Sequence, residues 1–465
     1  MLVLQTPRAT PEQLRVISGT RLGVEIIRGA AGCGKTSTAL LRLKSLAHLF
    51  LARRQRLGQQ RNVRILVLTF NRTLAGYVDH LASSQMNGTA NVDYEVSTFA
   101  AWAMNNIGHP EVITQEAAEA LLRRLTVQIA LDPAFLISEV DYICGRFRPQ
   151  SRQDYLTAER AGRGATPAVP RSMRPAILDA IDAFYAEISK RGVVDWHQVV
   201  EAMIGRENLE YDVVIVDEAQ DFAANQIRAV AKHLADPYCL TLVMDTVQRL
   251  YPRGFRWIET GLDMRGAAYH RLAENHRNTI EIAQFAAGLI EGITVDDDGT
   301  LPDFNAAKRH GAKPTIVTGL YRLQVQQAVD RIRREVDLNT ETVAFLKPRG
   351  GMWFDYLRSA LTSAGIRFVD LTRDRDWPVG PENVALSTMH SAKGLEFDHV
   401  FVLGLSESNA PVPDDVEDDS GLQLRRLLAM AVGRARKSVL IGYKSTEASE
   451  LIRFFKPGTF ELVER

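Results

Sequence analysis

Residues 29–36 combine glycines, a lysine and a threonine in an order that suits phosphate binding. They read Gly-Ala-Ala-Gly-Cys-Gly-Lys-Thr, follow an apolar strand-like run and open a helix-like run. Glycines let backbone N–H groups wrap a phosphate, and a helix N-terminus adds positive potential. Lys35 is expected to reach the outer phosphates, and Thr36 to ligate Mg²⁺. The other residues expected at this nucleotide site are Gly29, Gly32, Gly34 and Ser37.

A second segment supplies carboxylates. Residues 212–216 are an acid followed by four apolar residues, Asp217 and Glu218 follow them directly, and Asp221 comes three residues after Glu218. Acids at the carboxyl end of a parallel strand lie where α/β sheets bind ligands. Asp217 is expected to hold Mg²⁺, and Glu218 to activate the attacking water. The two segments together predict an ATP-hydrolysing site.

The elements that must position these side chains alternate between short apolar runs and helical patterns, which predicts parallel sheets covered by helices. Strands are predicted at 24–27, 65–69, 213–216, 240–244, 315–317, 342–346, 368–371, 384–387, 399–403 and 438–441. Helices are predicted at 36–51, 225–234, 280–290, 324–336, 352–364 and 422–434. The predicted fold class is α/β.

The middle of the chain differs, because residues 115–206 are rich in helical patterns and contain no convincing strand run. Glycines and prolines between 161 and 175 predict a loop there. We interpret this region as a helical domain inserted into the first α/β domain. A second α/β domain is predicted to begin near Asn278.

Composition restricts the class of protein. The 465 residues are 46% hydrophobic and 24% charged, which excludes disorder as the main state. Lys and Arg total 56, as do Asp and Glu, so any nucleic-acid contact needs local charge asymmetry. The three cysteines, Cys33, Cys144 and Cys239, form neither a disulfide framework nor a zinc pattern. With neither a signal-peptide pattern nor a membrane-length apolar run, a soluble cytoplasmic protein without membrane contact is expected.

Such asymmetry exists in two stretches. No acid lies between Glu25 and Asp79, and the region 146–174 is also strongly basic. These stripes suit a phosphate backbone, although a charge run is also typical of a merely solvated face. The basic residues are Arg28, Lys35, Arg42, Lys44, Arg53, Arg54, Arg56, Arg61, Arg64 and Arg72 in the first stretch, and Arg146, Arg148, Arg152, Arg160, Arg163, Arg171 and Arg174 in the second.

Several segments in order resemble the motifs of superfamily 1A helicases of the UvrD/Rep/PcrA-like group. They lie at 11–13, 29–36, 66–71, 97–99, 217–221, 244–251, 272–279, 387–397 and 425–436. The resemblance implies two RecA-like parallel-sheet domains with an inserted helical domain. The implied boundaries are 1–104 and 207–277 for the first RecA-like domain, 105–206 for the helical insertion and 278–465 for the second RecA-like domain.

The resemblance also implies roles for single residues. Arg277 and Arg434 would reach the γ-phosphate of ATP as arginine fingers, and Gln248 would sense it. Gln13 would read adenine, Glu396 would bind the ribose, and His276 stands where the group usually has a base-stacking tyrosine. Residues implied to contact DNA are Thr69, Asn71, Thr98, Tyr251, Thr388 and His390.

Two departures from the group bear on function. Phe255 and Trp257 follow the third motif and are candidates for a base-stacking platform, or else they are core aromatics. Large members insert a bulky 2B domain before the motif at 387–397, whereas only residues 372–383 are available here. The chain therefore resembles a short member that lacks a full 2B domain.

The prediction is an ATP-dependent DNA translocase or helicase with a single-stranded-DNA-stimulated ATPase, moving 3′→5′. Its cofactors would be ATP and Mg²⁺, and its partner single-stranded DNA or a single-strand/duplex junction. The alternative is an ATP-gated, DNA-binding regulatory subunit with little unwinding of its own. It would serve a repair or anti-phage defence complex of the Gabija type, with a partner protein such as a nuclease.

Overall fold

The computed structural model describes the chain except residues 2–8, 30–32, 70–71, 160–168, 245–256, 273–274, 294–306, 349–352, 372–376, 379, 413–418 and 465. Its strands and helices alternate along most of the sequence, and the predicted α/β class is confirmed. Within the described residues, no helix is both long and apolar enough to cross a bilayer.

The first sheet has the strand order β3-β2-β4-β5-β1-β6, and all its pairings are parallel. Its strands are β1 (Gly23–Gly29), β2 (Val63–Thr69), β3 (Val92–Thr98), β4 (Tyr211–Val216), β5 (Leu234–Met244) and β6 (Ala268–Leu272). β1 and β4 are inner strands that carry fully buried residues such as Ile26 and Val213. Their carboxyl ends bring the glycine-rich loop and the acidic segment to one edge.

The second sheet has the strand order β11-β12-β10-β13-β14-β9-β15 and is also parallel throughout. A separate two-stranded ribbon pairs β7 with β8. The ribbon and second-sheet strands are β7 (Asn275–Thr279), β8 (Ala307–Arg309), β9 (Thr315–Thr318), β10 (Val343–Lys347), β11 (Phe368–Asp370), β12 (Val384–Thr388), β13 (Phe397–Val402), β14 (Ala435–Tyr443) and β15 (Glu461–Glu464).

Helices cover both sheets, and one hydrophobic cluster contains residues from each. The helices around the first sheet are α1 (Pro11–Ile17), α2 (Lys35–Leu57), α3 (Arg72–Met86), α4 (Phe99–Ile107) and α9 (Ala224–Lys232). Those around the second sheet are α10 (Ile280–Ile290), α11 (Tyr321–Glu335), α12 (Trp353–Ser363) and α13 (Asp419–Val432).

The helical insertion consists of α5 (Gln115–Leu125), α6 (Pro133–Arg146), α7 (Arg174–Lys190) and α8 (Trp196–Gly205). Apolar side chains of α5, α6 and α7 form a core of their own, which includes Ile143, Ile177 and Phe184. The buried apolar side chains of α8 pack instead with the core of the first sheet. A parallel bridge between Val112 and Val194 joins the two ends of the insertion.

The loop predicted at 161–175 is partly wrong. Residues 160–168 lie outside the described part, but 171–173 form a 3-10 turn, and α7 already begins at Arg174. Pro175 occupies the first turn of α7, where its missing N–H removes no intrahelical bond. A proline that reads as a loop residue in the sequence therefore starts a helix.

Two implied domain boundaries fall inside regular elements. Position 105 lies within α4, and the division between 277 and 278 lies within β7. Asn278 of β7 donates hydrogen bonds to the Gly433 and Ala435 carbonyls at 3.1 and 2.7 Å. The β7 segment therefore packs with the second sheet.

A nucleotide-type cleft between the two sheets

Two side chains, those of Lys35 and Gln13, donate hydrogen bonds to carbonyls of the glycine-rich loop. Lys35 donates from Nζ to the Gly29 carbonyl at 2.8 Å, and Gly34 has a left-handed φ of 77°. A Cβ atom at Gly34 would lie 2.5 Å from Nε2 of Gln13, and one at Gly29 would collide with the Leu272 carbonyl. Glycine is therefore required at both described loop positions. Gly32 lies outside the described residues.

Gln13 is placed by a capping box at the start of α1, in which Thr10 and Gln13 exchange side-chain and backbone hydrogen bonds. Its Nε2 atom donates to the Cys33 carbonyl at 3.0 Å, and its side chain is buried. The short helix α1 therefore braces the loop from outside the sheet.

The pair expected to hold Mg²⁺ is assembled from β4 and α2. Thr36 donates from Oγ1 toward both carboxylate oxygens of Asp217, each 3.0 Å away. Burial and the neighbouring Glu218 carboxylate raise the pKa of Asp217 to about 7. A hydroxyl beside a carboxylate is a hard oxygen donor set, so these residues fit Mg²⁺.

Glu218 has a left-handed backbone, with φ 52° and ψ 41°, and its side chain is buried. Gln220 donates to its carboxylate at 2.5 Å, and Nζ of Lys393 lies 3.7 Å from Oε2. Burial acts to raise the pKa of Glu218, but the charges of Lys393, Arg434 and Lys35 outweigh it and hold that pKa below its usual value. The carboxylate is therefore held in its ionised form.

The side of the cleft formed by the second sheet contributes Arg277, Glu396 and Arg434. Arg277 donates from Nη2 to Glu396 and from Nη1 to the Gly433 carbonyl at 3.4 Å. Arg434 is buried and donates from Nε to the Met430 sulfur at 3.2 Å. Burial opposes ionisation of Glu396, but the Arg277 charge outweighs it and lowers the pKa of Glu396. Arg277, one of the two implied arginine fingers, and Glu396, the implied ribose ligand, are thus hydrogen-bonded to each other.

Sequence reasoning missed Lys393, although it lies within the motif at 387–397. Its side chain is fully buried, and its ammonium group donates to Asp221 across the cleft. Burial acts to lower the pKa of Lys393, but Asp221 and Glu218 outweigh it and raise that pKa above its usual value. The lysine therefore stays charged.

Comparison with known proteins finds similarity to DNA helicases. Residues 357–446 match the family model of the UvrD-like helicase C-terminal domain. DNA helicase II of Haemophilus influenzae is 31% identical over 131 residues, which is 27% of this chain and 18% of that protein. ATP-dependent DNA helicase PcrA of Leuconostoc citreum is 36% identical over 97 residues, 19% of this chain and 13% of that protein. Over these stretches the chain is similar to UvrD/Rep/PcrA-like helicases.

Other matches are shorter or weaker. ATP-dependent DNA helicase Rep of Buchnera aphidicola is 40% identical over 67 residues, 14% of this chain and 10% of that protein. A solved C-terminal domain of a possible DNA helicase from Lactobacillus plantarum WCFS1 is 22% identical with a TM-score of 0.30, covering 40% of this chain and 98% of that one. The aligned stretches thus span less than a fifth of the curated UvrD-like relatives named here.

The residues that the UvrD-like resemblance assigns to DNA differ in accessibility. Thr69 is fully buried, and Thr98 caps α4 by accepting from the Ala101 N–H at 3.2 Å. Thr388 accepts from the Ser391 N–H at 3.0 Å, and His390 is exposed on the same turn. The structure therefore leaves His390 the most accessible of these four. Their contacts with DNA stay predictions.

The remaining assigned residues are only partly covered by the structure. Gln248, Asn71, Tyr251 and Phe255 lie outside the described residues, and for His276 only the backbone is described. Trp257 begins a 3-10 turn, Trp257–Thr260, and packs half-buried against the core on the α9 side of the first sheet. This placement favours the core interpretation of Trp257, and its stacking role stays a prediction.

Several arginines of the two basic stretches are bonded to partners inside the protein, whereas other basic residues, such as Lys44, Arg56 and Arg72, are exposed. The contact of these stretches with DNA stays a prediction. Arg42 pairs with Glu25 while 1% exposed, and Arg54 pairs with Asp212 at 2.5 Å. The insertion repeats this pattern, with Arg146–Glu259 at 2.8 Å, Arg148–Glu201 at 2.5 Å, Arg152–Asp182 at 3.5 Å and Arg174 donating to the Tyr155 carbonyl at 2.7 Å. Sequence runs of like charge could not reveal partners this far away along the chain.

Proposed function

We propose that the chain is an ATP-dependent DNA translocase or helicase that hydrolyses ATP to ADP and phosphate with Mg²⁺. The observation that carries the proposal is the convergence of opposite charges in the cleft. Glu218 of the first sheet lies 3.7 Å from Lys393 of the second, beside the Thr36–Asp217 pair. A phosphate-binding loop, a metal-binding pair and a carboxylate base are the parts that phosphoryl transfer to water needs.

Each site residue would have one role in ATP hydrolysis. Backbone N–H groups of the glycine-rich loop and the Lys35 ammonium would hold the outer phosphates, while Thr36 and Asp217 would hold Mg²⁺. When bound, the ion neutralises charge on the β- and γ-phosphate oxygens. Glu218 would accept the proton of the attacking water, and Arg434 would stabilise negative charge as the phosphoryl group transfers.

The substrate of translocation would be single-stranded DNA, alone or at a junction with duplex, followed 3′→5′ in the cytoplasm. The turn with Thr388 and His390 connects the sheet edge to the cleft, which supports its assignment to the strand. Thr69, Asn71 and Thr98 would contribute from the first sheet. The aromatics Tyr251, Phe255 and Trp257 are the proposed stacking groups.

A second candidate is a regulatory subunit that binds DNA under ATP control and signals to a partner such as a nuclease. One observation favours it. β11 ends at Asp370 and β12 begins at Val384, so only residues 371–383 stand where large members carry the 2B domain. ATP hydrolysis would persist in this case, whereas strand separation by the chain alone would not. A repair or anti-phage defence complex of the Gabija type is the setting proposed for it.

The first test is phosphate release by the purified chain with and without oligothymidine. We expect hydrolysis to rise at least about tenfold with the oligonucleotide, within the range of coupled sites. Lys35→Ala should abolish turnover because its ammonium is the loop's cation at the outer phosphates. Circular dichroism should show an intact fold. Turnover near the wild-type rate in this variant would refute the assigned site, and strand displacement by the chain alone would favour the motor over the regulatory subunit.

A further inference from the structure

Edge strand β6 carries two exposed side chains on one face of the first sheet. Side chains alternate between the two faces along a strand. His270 faces α2, because its Nε2 atom lies 3.7 Å from Oε2 of Glu25, the ion-pair partner of Arg42 on α2. Tyr269 and Arg271 therefore face the opposite side, where Tyr269 is 56% exposed and Arg271 is also exposed.

Arg28 of β1 completes a basic and aromatic surface on this face. It is level with Arg271 in the parallel pairing of β1 with β6, and its Cζ atom lies 5.5 Å from the centroid of the Tyr269 ring. A guanidinium at that distance makes a cation–π contact with the ring. On the other side of β1, the residue of β5 level with Arg28 is Met244. Two arginines thus lie side by side next to an exposed tyrosine, and we call Arg28, Tyr269 and Arg271 the β6 patch.

The β6 patch concentrates positive charge. Like charges on directly opposed residues of neighbouring strands are destabilising. The Nε atom of Arg28 is also buried and has no hydrogen-bond partner among the described residues, although a buried donor normally has one. An anion on this surface would reduce the repulsion between the two guanidinium groups and would supply oxygen acceptors. The patch therefore fits a ligand that carries negatively charged oxygens.

We propose that the β6 patch is a binding surface for single-stranded nucleic acid, in addition to the segments that the resemblance assigns to DNA. The inference rests on the proposed function and adds a contact surface to it. Arg28 and Arg271 would each contact a phosphate, and a base would stack on the open side of Tyr269. The aromatic ring favours a nucleic acid over an acidic protein, because it offers a stacking surface to a base beside the two cations.

The β6 patch is separate from the residues assigned to ATP. Lys35 begins α2, whereas the patch lies on the opposite face of the first sheet. The patch nonetheless adjoins the glycine-rich loop. Arg28 directly precedes Gly29, and a Cβ atom at Gly29 would meet the carbonyl of Leu272, the residue after Arg271. A strand bound to the patch would therefore pass along the outside of that loop.

The test measures the binding of a fluorescent oligothymidine by anisotropy at several salt concentrations. Wild type is compared with the double variant Arg28→Gln/Arg271→Gln and with Tyr269→Ala, and melting temperatures are measured on the same samples. Removing two phosphate contacts should lower the slope of log K against log salt by about 1.4, since each contact contributes ~0.7, and should weaken binding about tenfold or more at about 0.1 M salt. Tyr269→Ala should weaken binding about fivefold or more through the lost stacking, with the slope unchanged.

Arg265→Gln is the matched control. Arg265 is 92% exposed, lies shortly before β6 and pairs with Asp263, so its loss should leave the affinity and the salt slope at the wild-type values. An equal loss of slope in Arg265→Gln would indicate a diffuse attraction to basic surface and would overturn the proposal. If the double variant does not fold, Arg28→Gln and Arg271→Gln alone should each lower the slope by about 0.7, and unchanged slopes in both would overturn it.

The remaining outcomes separate the inference from the function beneath it. A wild-type chain that neither hydrolyses ATP nor binds oligothymidine would refute the proposed function. If wild type hydrolyses ATP but does not bind oligothymidine, or if the patch variants keep its affinity and salt slope, the β6 patch alone is overturned. Displacement of oligothymidine by poly-glutamate of equal charge, together with wild-type affinity in Tyr269→Ala, would identify a general anion surface and overturn the nucleic-acid assignment.

Discussion

At the scale of single residues, the two arginines with the same implied role have different surroundings. Arg277 donates to Glu396 and to the Gly433 carbonyl, so its charge has a carboxylate partner within the second-sheet side of the cleft. Arg434 acts on the first sheet, where it contributes to the lowered pKa of Glu218. Since an arginine finger must sit near the reacting groups, Arg434 is the better candidate.

Arg434→Ala should therefore lower the rate of ATP hydrolysis by about 10³-fold, the scale of an arginine finger. Affinity for a fluorescent ATP analogue should change much less, because the loop and Lys35 still hold the phosphates. Arg434→Lys is the control that keeps a charge but loses the planar group. If the hydrolysis rate falls less than about tenfold, Arg277 or another residue acts as the arginine finger.

Residues grouped by local spacing could be predicted from the sequence itself, and Arg277, Glu396 and Arg434 were predicted only through the resemblance. The ion pairs between distant segments could not be predicted. The glycine-rich loop places Lys35 and Thr36 by sequence proximity, and the acidic segment places Asp217 in the same way. Lys393 meets Asp221 across 172 positions, and Arg146 meets Glu259 across 113. Such pairs depend on how the sheets and the insertion pack, which no run of like charges or apolar residues encodes.

At the scale of elements, the turn at residues 388–396, between β12 and β13, is fitted closely to helix α3. Gly394 has a φ of +83°, and a Cβ atom there would lie 2.5 Å from Cδ2 of Leu74. Gly365 also has a positive φ, +71°, but a Cβ atom there meets nothing within 4 Å. Comparing alanine substitutions at the two glycines therefore separates the free-energy cost of the left-handed backbone from the cost of the contact with α3.

Gly394→Ala should destabilise the chain more than Gly365→Ala, as measured by urea unfolding. Both changes carry a left-handed penalty of about 1–2 kcal/mol. Gly394→Ala adds an overpacking cost of about 1–3 kcal/mol against Leu74. In the double variant Gly394→Ala/Leu74→Ala, the new Cβ atom no longer meets the Leu74 side chain. After the destabilisation caused by Leu74→Ala alone is subtracted, the double variant should show only the left-handed penalty of Gly394→Ala. Equal destabilisation by the two glycine substitutions would mean that Leu74 of α3 moves away from the new Cβ atom at no measurable cost.

Strand prediction succeeded where apolar runs are continuous and missed three of the four edge strands of the two sheets, the exception being β11. β4 is buried along its whole length, so its sequence signal is unbroken. β3 is an edge strand, and its residues Asp93 and Glu95 interrupt the pattern. The edge strands β6 and β15 were missed as well, because an outer strand is packed less completely and tolerates polar residues.

At the scale of the whole molecule, the helical insertion is fastened to the first sheet's domain by Arg146. Its guanidinium donates to both carboxylate oxygens of Glu259 at 2.8 Å and to the Glu159 carbonyl at 2.8 Å. Glu259 lies on the 3-10 turn beside α9, outside the insertion. An arginine expected to bind DNA thus joins two parts of the protein.

Arg146→Ala should lower the free energy of unfolding by about 2–3 kcal/mol. This is below the ~3–5 kcal/mol of a fully buried pair, because the Glu259 side chain keeps 22% exposure. DNA affinity per folded molecule should stay at the wild-type value. Arg171→Ala is the matched control, since Arg171 belongs to the same basic stretch but is exposed, and it should leave stability unchanged. Weakened DNA binding by folded Arg146→Ala would support the stripe interpretation for Arg146.

The left-handed backbone of Glu218 implies a conflict between what folding favours and what reaction needs. A residue with a Cβ atom held at φ 52° is less stable there than glycine by about 1–2 kcal/mol. Glycine at this position would relieve that backbone cost. It would also remove the carboxylate to which Gln220 donates and beside which the buried Lys393 ammonium lies. In the proposed function, the left-handed backbone is the conformational cost of holding the proposed base in the cleft.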